Sequence, residues 1–161
     1  MPPAVEPVVR NAVAGDARHI EELYRQLVNN PAVNVVPERI SAISDDPNTR
    51  LFVCEYQGEV QGSALVSICA DVMFGTQPFA VVENLVVDTD MQNQGLGAAL
   101  LRHIEAFCRA TDCSKIMLLS SIQRERAHRF FERSGFVGSS KRGFVKYRSA
   151  FSADSPFAPS K

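Results

Sequence analysis

A chain of 161 residues, 45% of them hydrophobic, is long enough to bury one core of its own, and a single globular domain is expected. The formal net charge is only -1, so there is neither a basic field for nucleic acid nor an acidic tail for a basic partner. The opening MPPAVEPVVR lacks the apolar core of a signal peptide, and no apolar run nears the roughly 20 residues of a membrane span; a cytoplasmic protein is the reading.

Val8-Val9 and Ala12-Val13 suggest a first strand, and Gly15-Asp16 punctuates it, with Asp16 as the expected N-cap of a helix. Ile20, Leu23, Leu27 and Val28 follow at helical spacing, and Asn29-Asn30-Pro31 ends the run. Residues 37–43 read as a short second helix with proline in its first turn. Residues 51–56 and 60–69 form a hairpin around Gln57-Gly58-Glu59. Residues 79–87 are nearly all apolar, as suits a strand buried on both faces, so Glu83 and Asn84 stand out.

A long helix after Gly95 places Leu96, Leu100, Ile104 and Phe107 on one face. Residues 113–119 read as another buried strand, and residues 123–134 as a helix burying Ala127, Phe130 and Phe131, stopped by Gly135. Phe136-Val137 and residues 144–147 look like closing strands, and the tail from residue 149 to 161 is expected to be disordered. Cys54, Cys69, Cys108 and Cys113 show neither C-x-x-C spacing nor a neighbouring histidine cluster. They read as reduced, packed thiols, and no metal is expected.

The stretch from 82 to 110 couples an apolar strand, a polar loop with Gly95 and Gly97, and an amphipathic helix. Orphan N–H groups and the helix dipole make such a junction an anion site, and the glycines allow close approach to the backbone. Alone, Gly95-Leu96-Gly97 is equally a solvated turn, because the third glycine of a dinucleotide fingerprint and the Lys-Ser/Thr of a Walker loop are absent.

Gln92-Asn93-Gln94-Gly95-Leu96-Gly97-Ala98 resembles the Gln/Arg-x-x-Gly-x-Gly/Ala signature of the GNAT acyltransferase superfamily. Ala127-His128-Arg129-Phe130-Phe131-Glu132-Arg133-Ser134-Gly135-Phe136 is similar to that family's Ala-x-x-Phe-Tyr-x-x-x-Gly-Phe block, and order and spacing fit over residues 8–148. The resemblance implies an α/β fold, a mixed twisted sheet with splayed central strands flanked by about four helices, and one N-acetyltransferase domain over residues 1–148. It implies acetyl-CoA as cosubstrate. The pantetheine would pair with Leu85, Val86 and Val87, and the pyrophosphate would rest on the backbone of Gln92, Asn93, Gln94, Gly95, Leu96, Gly97 and Ala98. A backbone N–H near Val86 or Val87 would polarise the thioester carbonyl.

Glu83 is the catalytic candidate. Strict alternation puts it on the face of Leu85 and Val87, and a carboxylate there can take the proton of an attacking amine. Its stretch is similar to the glucosamine-6-phosphate N-acetyltransferase branch, with Asn84 where that branch has a second acid. The bland alternative is a sheet-edge glutamate paired with an arginine. Phe131 falls where the family's proton-donating Tyr aligns, so the thiolate leaves unaided, another donor such as Tyr147 or Ser121 serves, or the protein binds acyl-CoA and catalyses poorly. His128 reads mainly as a helix-surface imidazole, and Arg124 replaces the family's frequent Asn.

By resemblance, the first two helices and the loop over residues 70–79 frame the acceptor, offering Tyr24, Arg25, Arg39, Asp71 and Phe74; Lys141 and Arg142 could meet an anionic acceptor. The expectation is an acetyl-CoA-dependent N-acetyltransferase acting by direct attack of a small primary amine, as a homodimer by resemblance. The competing reading is a catalytically weak acyl-CoA-binding regulatory module.

Overall fold

The computed structural model describes residues 1–154 and 156–157. The chain divides into two compact units, Met1–Ser120 and Ser121–Lys161. The first holds a five-stranded sheet in the order β1-β2-β3-β4-β5, with β1 (Val8–Asn11), β2 (Thr49–Tyr56), β3 (Glu59–Cys69), β4 (Phe79–Val87) and β5 (Ile116–Leu118). The first three pairings are antiparallel and the last is parallel, so the sheet is mixed. The hairpin turns through Gln57 and Gly58 at φ 55° and 81°, the two-residue geometry that matches strand twist.

Alternation along β2 assigns the two faces. Leu51 and Val53 join Ile20 and Leu23 of α1 (Ala17–Leu27) and Ile40 of α2 (Pro37–Ser44) in one core cluster. Phe52 points the other way, edge-on to His103 and Phe107 of α3 (Leu96–Ala110), with ring centroids 4.7 and 5.8 Å away. Gly62 on β3 lets α3 come close: a Cβ there would lie 3.2 Å from Leu100 Cδ1, 3.2 Å from Val86 O and 3.5 Å from Cys54 Cβ.

Asp16 does not cap α1 with its side chain. Its buried carboxylate turns back to accept the Val13 N–H at 2.8 Å and a fork from Arg10 at 2.8 and 2.9 Å. A paired guanidinium is a stronger partner than a lone amide, which accounts for the turn. Arg10 also reaches Glu55 on β2, tying β1 to its neighbour. The Arg10 hydrogen bonds hold the Asp16 carboxyl below the usual carboxylate range.

In the second unit, α4 (Glu125–Arg133) ends in a Schellman stop. Gly135, at φ 93°, donates its N–H to Glu132 O, and Phe136 donates to Phe131 O, both at 3.0 Å. The Phe131 and Phe136 rings close the motif with centroids 6.0 Å apart. The expected closing strands are absent: residues 136–137 and 144–147 enter no ladder, and Val137, Phe144, Val145 and Tyr147 are exposed. β-propensity measures fit to a pleated, half-buried surface, and a lone short hairpin is marginal in water. A 3-10 turn spans Arg148–Ala150, and the expected tail falls partly on residues 155 and 158–161, outside the described residues.

Candidate active site

β4 runs past the end of its neighbour. Its pairing with β5 covers Ala80–Ile116, Val81–Met117 and Val82–Leu118 and stops there, whereas β4 continues to Val87. Residues 83–87 therefore have β3 on one side and no strand of this unit on the other. This is the splay expected of the central strands.

A bulge sits at the opening. Leu65 pairs with Glu83 and Ser63 with Val86, so Ala64 faces two residues of β4, Asn84 and Leu85. Asn84 takes up the extra residue at φ 55°, a left-handed conformation that asparagine tolerates better than most side chains. The bulge breaks the alternation assumed from sequence. Glu83 shares its face with Val86, on the side of α1, rather than with Leu85 and Val87. Val86 is in the core cluster with α1, and Glu83 is exposed without an ion-pair or hydrogen-bond partner among the described residues. The arginine pairing weighed for it does not form.

The bulge also decides which amide faces outward. Asp88 N–H donates to Gln61 O at 2.7 Å, so alternation turns the Val86 backbone toward β3 and the Val87 N–H toward the open edge. Leu85, within the bulge, has no partner on β3.

Beyond Val87 the chain makes a 3-10 turn, Thr89–Met91, capped by Asp88. It then enters the polar loop, where Gln92, Asn93, Gln94 and Gly95 are all exposed. Gly95 is the N-cap of α3 at φ 81° and supplies no side-chain cap. The first helical bond runs from Ala99 N–H to Gly95 O at 3.0 Å. The N–H groups of Leu96, Gly97 and Ala98 consequently lack intrahelical acceptors. The Leu96 side chain is buried, leaving only its backbone for a ligand, and Gly97 and Ala98 are half-buried. An anionic diphosphate fits this cradle, and an extended amide chain fits the adjoining strand edge.

α1 braces this half of β4, a feature the sequence did not reveal. Gln26 Nε2 donates to Asp88 Oδ2 at 3.0 Å, and Gln26 Oε1 accepts the Thr89 N–H at 2.9 Å and its hydroxyl at 3.0 Å. The last turn of α1 is thus fastened just past the end of β4. Nothing in the spacing of Gln26 and Asp88, 62 residues apart, could have announced the contact.

Residues 16–136 match the model of the acetyltransferase (GNAT) family. This chain belongs to the GNAT family. It is 27% identical over 135 residues to an aminoglycoside N(6')-acetyltransferase type 1 from Stenotrophomonas maltophilia, covering 83% of this chain and 88% of the relative. It is 32% identical over 88 residues to a glucosamine 6-phosphate N-acetyltransferase from Trypanosoma brucei brucei, 55% of this chain and 58% of that one. A solved aminoglycoside N-acetyltransferase in complex with CoA, 17% identical, shares the fold with a TM-score of 0.76 over 92% of this chain and 99% of its own. Family and relatives together make this GNAT protein an acetyl-CoA-dependent N-acetyltransferase.

The second GNAT signature has a mechanical content of its own. Its Phe-x-x-x-Gly-Phe half is the Schellman stop of α4, in which Phe131, Gly135 and Phe136 occupy the three positions that close a helix. Phe131 is buried, its ring also 5.4 Å from Phe130, so it serves packing at the place where a Tyr would carry a proton. His128 Nε2 is engaged at 2.8 Å with Ser121 O, within the same unit. Among the described residues no group of three or more His, Cys, Asp or Glu could hold a metal ion, and no helix is long and apolar enough to cross a membrane.

Proposed function

We propose that this GNAT chain moves the acetyl group of acetyl-CoA onto the primary amine of a small acceptor by direct attack, with Glu83 taking the amine proton. One observation carries the reading: a strand edge that no strand pairs over residues 83–87 among the described residues leads into a helix N-terminus at Leu96 with no side-chain cap. Acetyl-CoA supplies a thioester, whose thiolate is a far better leaving group than an alkoxide. The backbone of Leu85 and Val87 lines the pantetheine, with Val87 N–H donating to the thioester oxygen and stabilising the charge that grows there, while Val86, grouped with them by resemblance, turns its backbone to β3. The backbone of Gln92, Asn93, Gln94, Gly95, Leu96, Gly97 and Ala98 receives the pyrophosphate. Phe131, where the family's Tyr aligns, has no proton to give, so the thiolate departs without one from it.

Glu83 suits the role of base because it is exposed beside the opening and has no cation partner among the described residues. The acceptor is an amino sugar or amino acid derivative. Two relatives support that class, being named for aminoglycoside and glucosamine 6-phosphate acetylation. A cytoplasmic homodimer completes the proposal; exposed Phe144, Val145 and Tyr147 form the kind of apolar surface a second copy would cover.

Thiol release from acetyl-CoA, followed with an aminoglycoside, glucosamine 6-phosphate, free amino acids and a peptide N-terminus, tests the reading. Saturable release with an amino sugar is expected. Calorimetric CoA binding without thiol release across the panel would favour the regulatory module that the Phe131 position motivates.

A further inference from the structure

We propose that Gln26 is a positioning residue for acyl transfer: from the last turn of α1, its side-chain amide fixes the turn that follows β4 and so holds the Val87 N–H at the free strand edge. The inference rests on the proposed reading that transfer takes place along β4. Three successive amides leave the strand in different directions. The Val87 N–H is turned to the open edge, the Asp88 N–H donates to Gln61 O at 2.7 Å, and the Thr89 N–H donates to Gln26 Oε1 at 2.9 Å. A strand end held by one ladder bond frays, and the direction of the neighbouring amide is lost with that bond.

Gln26 supplies the second hold. Both ends of its side-chain amide are used: Nε2 donates to Asp88 Oδ2 at 3.0 Å, while Oε1 accepts the Thr89 hydroxyl at 3.0 Å as well as the Thr89 N–H. The bond to Asp88 is charge-assisted, the stronger kind. The other carboxylate oxygen of Asp88 accepts the Asp90 N–H at 2.9 Å, and Asp88 O accepts the Met91 N–H at 2.9 Å. Those two bonds are local to the turn. Among the described residues, only the hydrogen bonds to Gln61 and Gln26 tie residues 88–91 to another element.

The clasp is not needed to seat α1. Ile20 and Leu23 are buried in the core cluster and Leu27 packs against it, whereas Gln26 and Thr89 are exposed and Asp88 is half-buried. What the clasp fixes is the join between the free edge and the loop that leads to Gly95 and α3. An oxyanion donor works only when its direction is set before the reaction.

The test reverses the polarity of the clasp. Gln26→Glu keeps the size and the acceptor for Thr89 but sets a carboxylate against Asp88. Adding Asp88→Asn restores the pair, because the new amide nitrogen donates to the carboxylate at position 26 while its oxygen still accepts the Asp90 N–H. Turnover is measured with the best amine of the panel, and CoA affinity by calorimetry. Gln26→Glu is expected to lower kcat about tenfold while the Kd for CoA stays within about threefold, and the double variant is expected to return kcat to within about threefold of the parent. Amide exchange is read in parallel with saturating CoA. The slowing at Val87 N–H is expected to fall at least about fivefold in Gln26→Glu and to return in the double variant, with Gly97 and Ala98 unchanged. A Gln26→Glu kcat within about twofold of the parent, a double variant no faster than Gln26→Glu, or unaltered exchange at Val87 would overturn the inference. Absence of turnover in the parent would instead strike the acyl-transfer reading, while the exchange comparison would still decide whether Gln26 holds the edge.

Discussion

Glu83 stands one residue beyond the last β4–β5 pair, exposed and with no ion-pair partner among the described residues. A base in that position must be ionised and within reach of the amine, directly or through one water. Glu83→Gln removes the charge with almost no change in shape. The expected result is a kcat lower by about 100-fold at neutral pH, in the range general-base removal usually costs, with CoA affinity unchanged. Full activity across pH in that variant would remove the assignment. Asp16 is the contrasting carboxylate, structural rather than catalytic. Its folded pKa lies below the unfolded value of about 3.9, so it stabilises the fold above that pH and the contribution is lost as pH falls through the folded value. Thermal melts between pH 7 and 2 should therefore decline below about pH 4 in the parent. Asp16→Asn should be less stable by about 2–3 kcal/mol at pH 7 and flatter in acid, because it leaves Arg10 half-buried with only Glu55.

Single elements were readable to the extent that their determinants are local. α3 and α4 begin and end within a few residues of the sequence reading because glycine and the apolar period mark them. The hairpin follows from Gln57-Gly58. The bulge was not legible, because Asn84 in a strand of apolar residues gives no sign of which conformer it adopts; its effect was to move Glu83 to the opposite face from the one alternation predicts. The closing strands failed for a related reason: Phe144, Val145 and Tyr147 have strand-forming side chains, but a ladder needs a neighbouring edge that sequence does not encode. Two glycines test the element-level account by different routes. Gly62→Ala should cost about 1–3 kcal/mol in urea unfolding, since its Cβ meets Leu100 and the Val86 carbonyl at 3.2 Å. Gly135→Ala meets nothing within 4 Å, so its expected cost, about 1–2 kcal/mol, is purely that of φ 93°.

At the scale of the molecule, the elements proposed to hold the cofactor follow from a local motif, whereas those proposed for the acceptor do not. The proposed cofactor contacts are backbone groups, and backbone exposure is written in short motifs such as Gln92 to Ala98. The side chains expected by resemblance to frame the acceptor come from α1, α2 and the loop after β3, where Arg25, Arg39, Asp71 and Phe74 are separated in sequence and carry no shared pattern. α1 occupies a double role in this scheme, covering the core with Ile20 and Leu23 and holding the end of β4 through Gln26. Its contribution could only be seen once the fold had brought Gln26 beside Asp88 and Thr89.

The claim on which the rest depends is that CoA lies along the free edge of β4 and ends on the N-terminus of α3. Backbone amide exchange of the full chain, with and without saturating CoA, reads this directly at the residues concerned. Slower exchange is predicted at Leu85, Val87, Gly97 and Ala98, with the β1–β2 ladder unaffected. CoA binding seen by calorimetry with no slowing at those four amides would contradict the account.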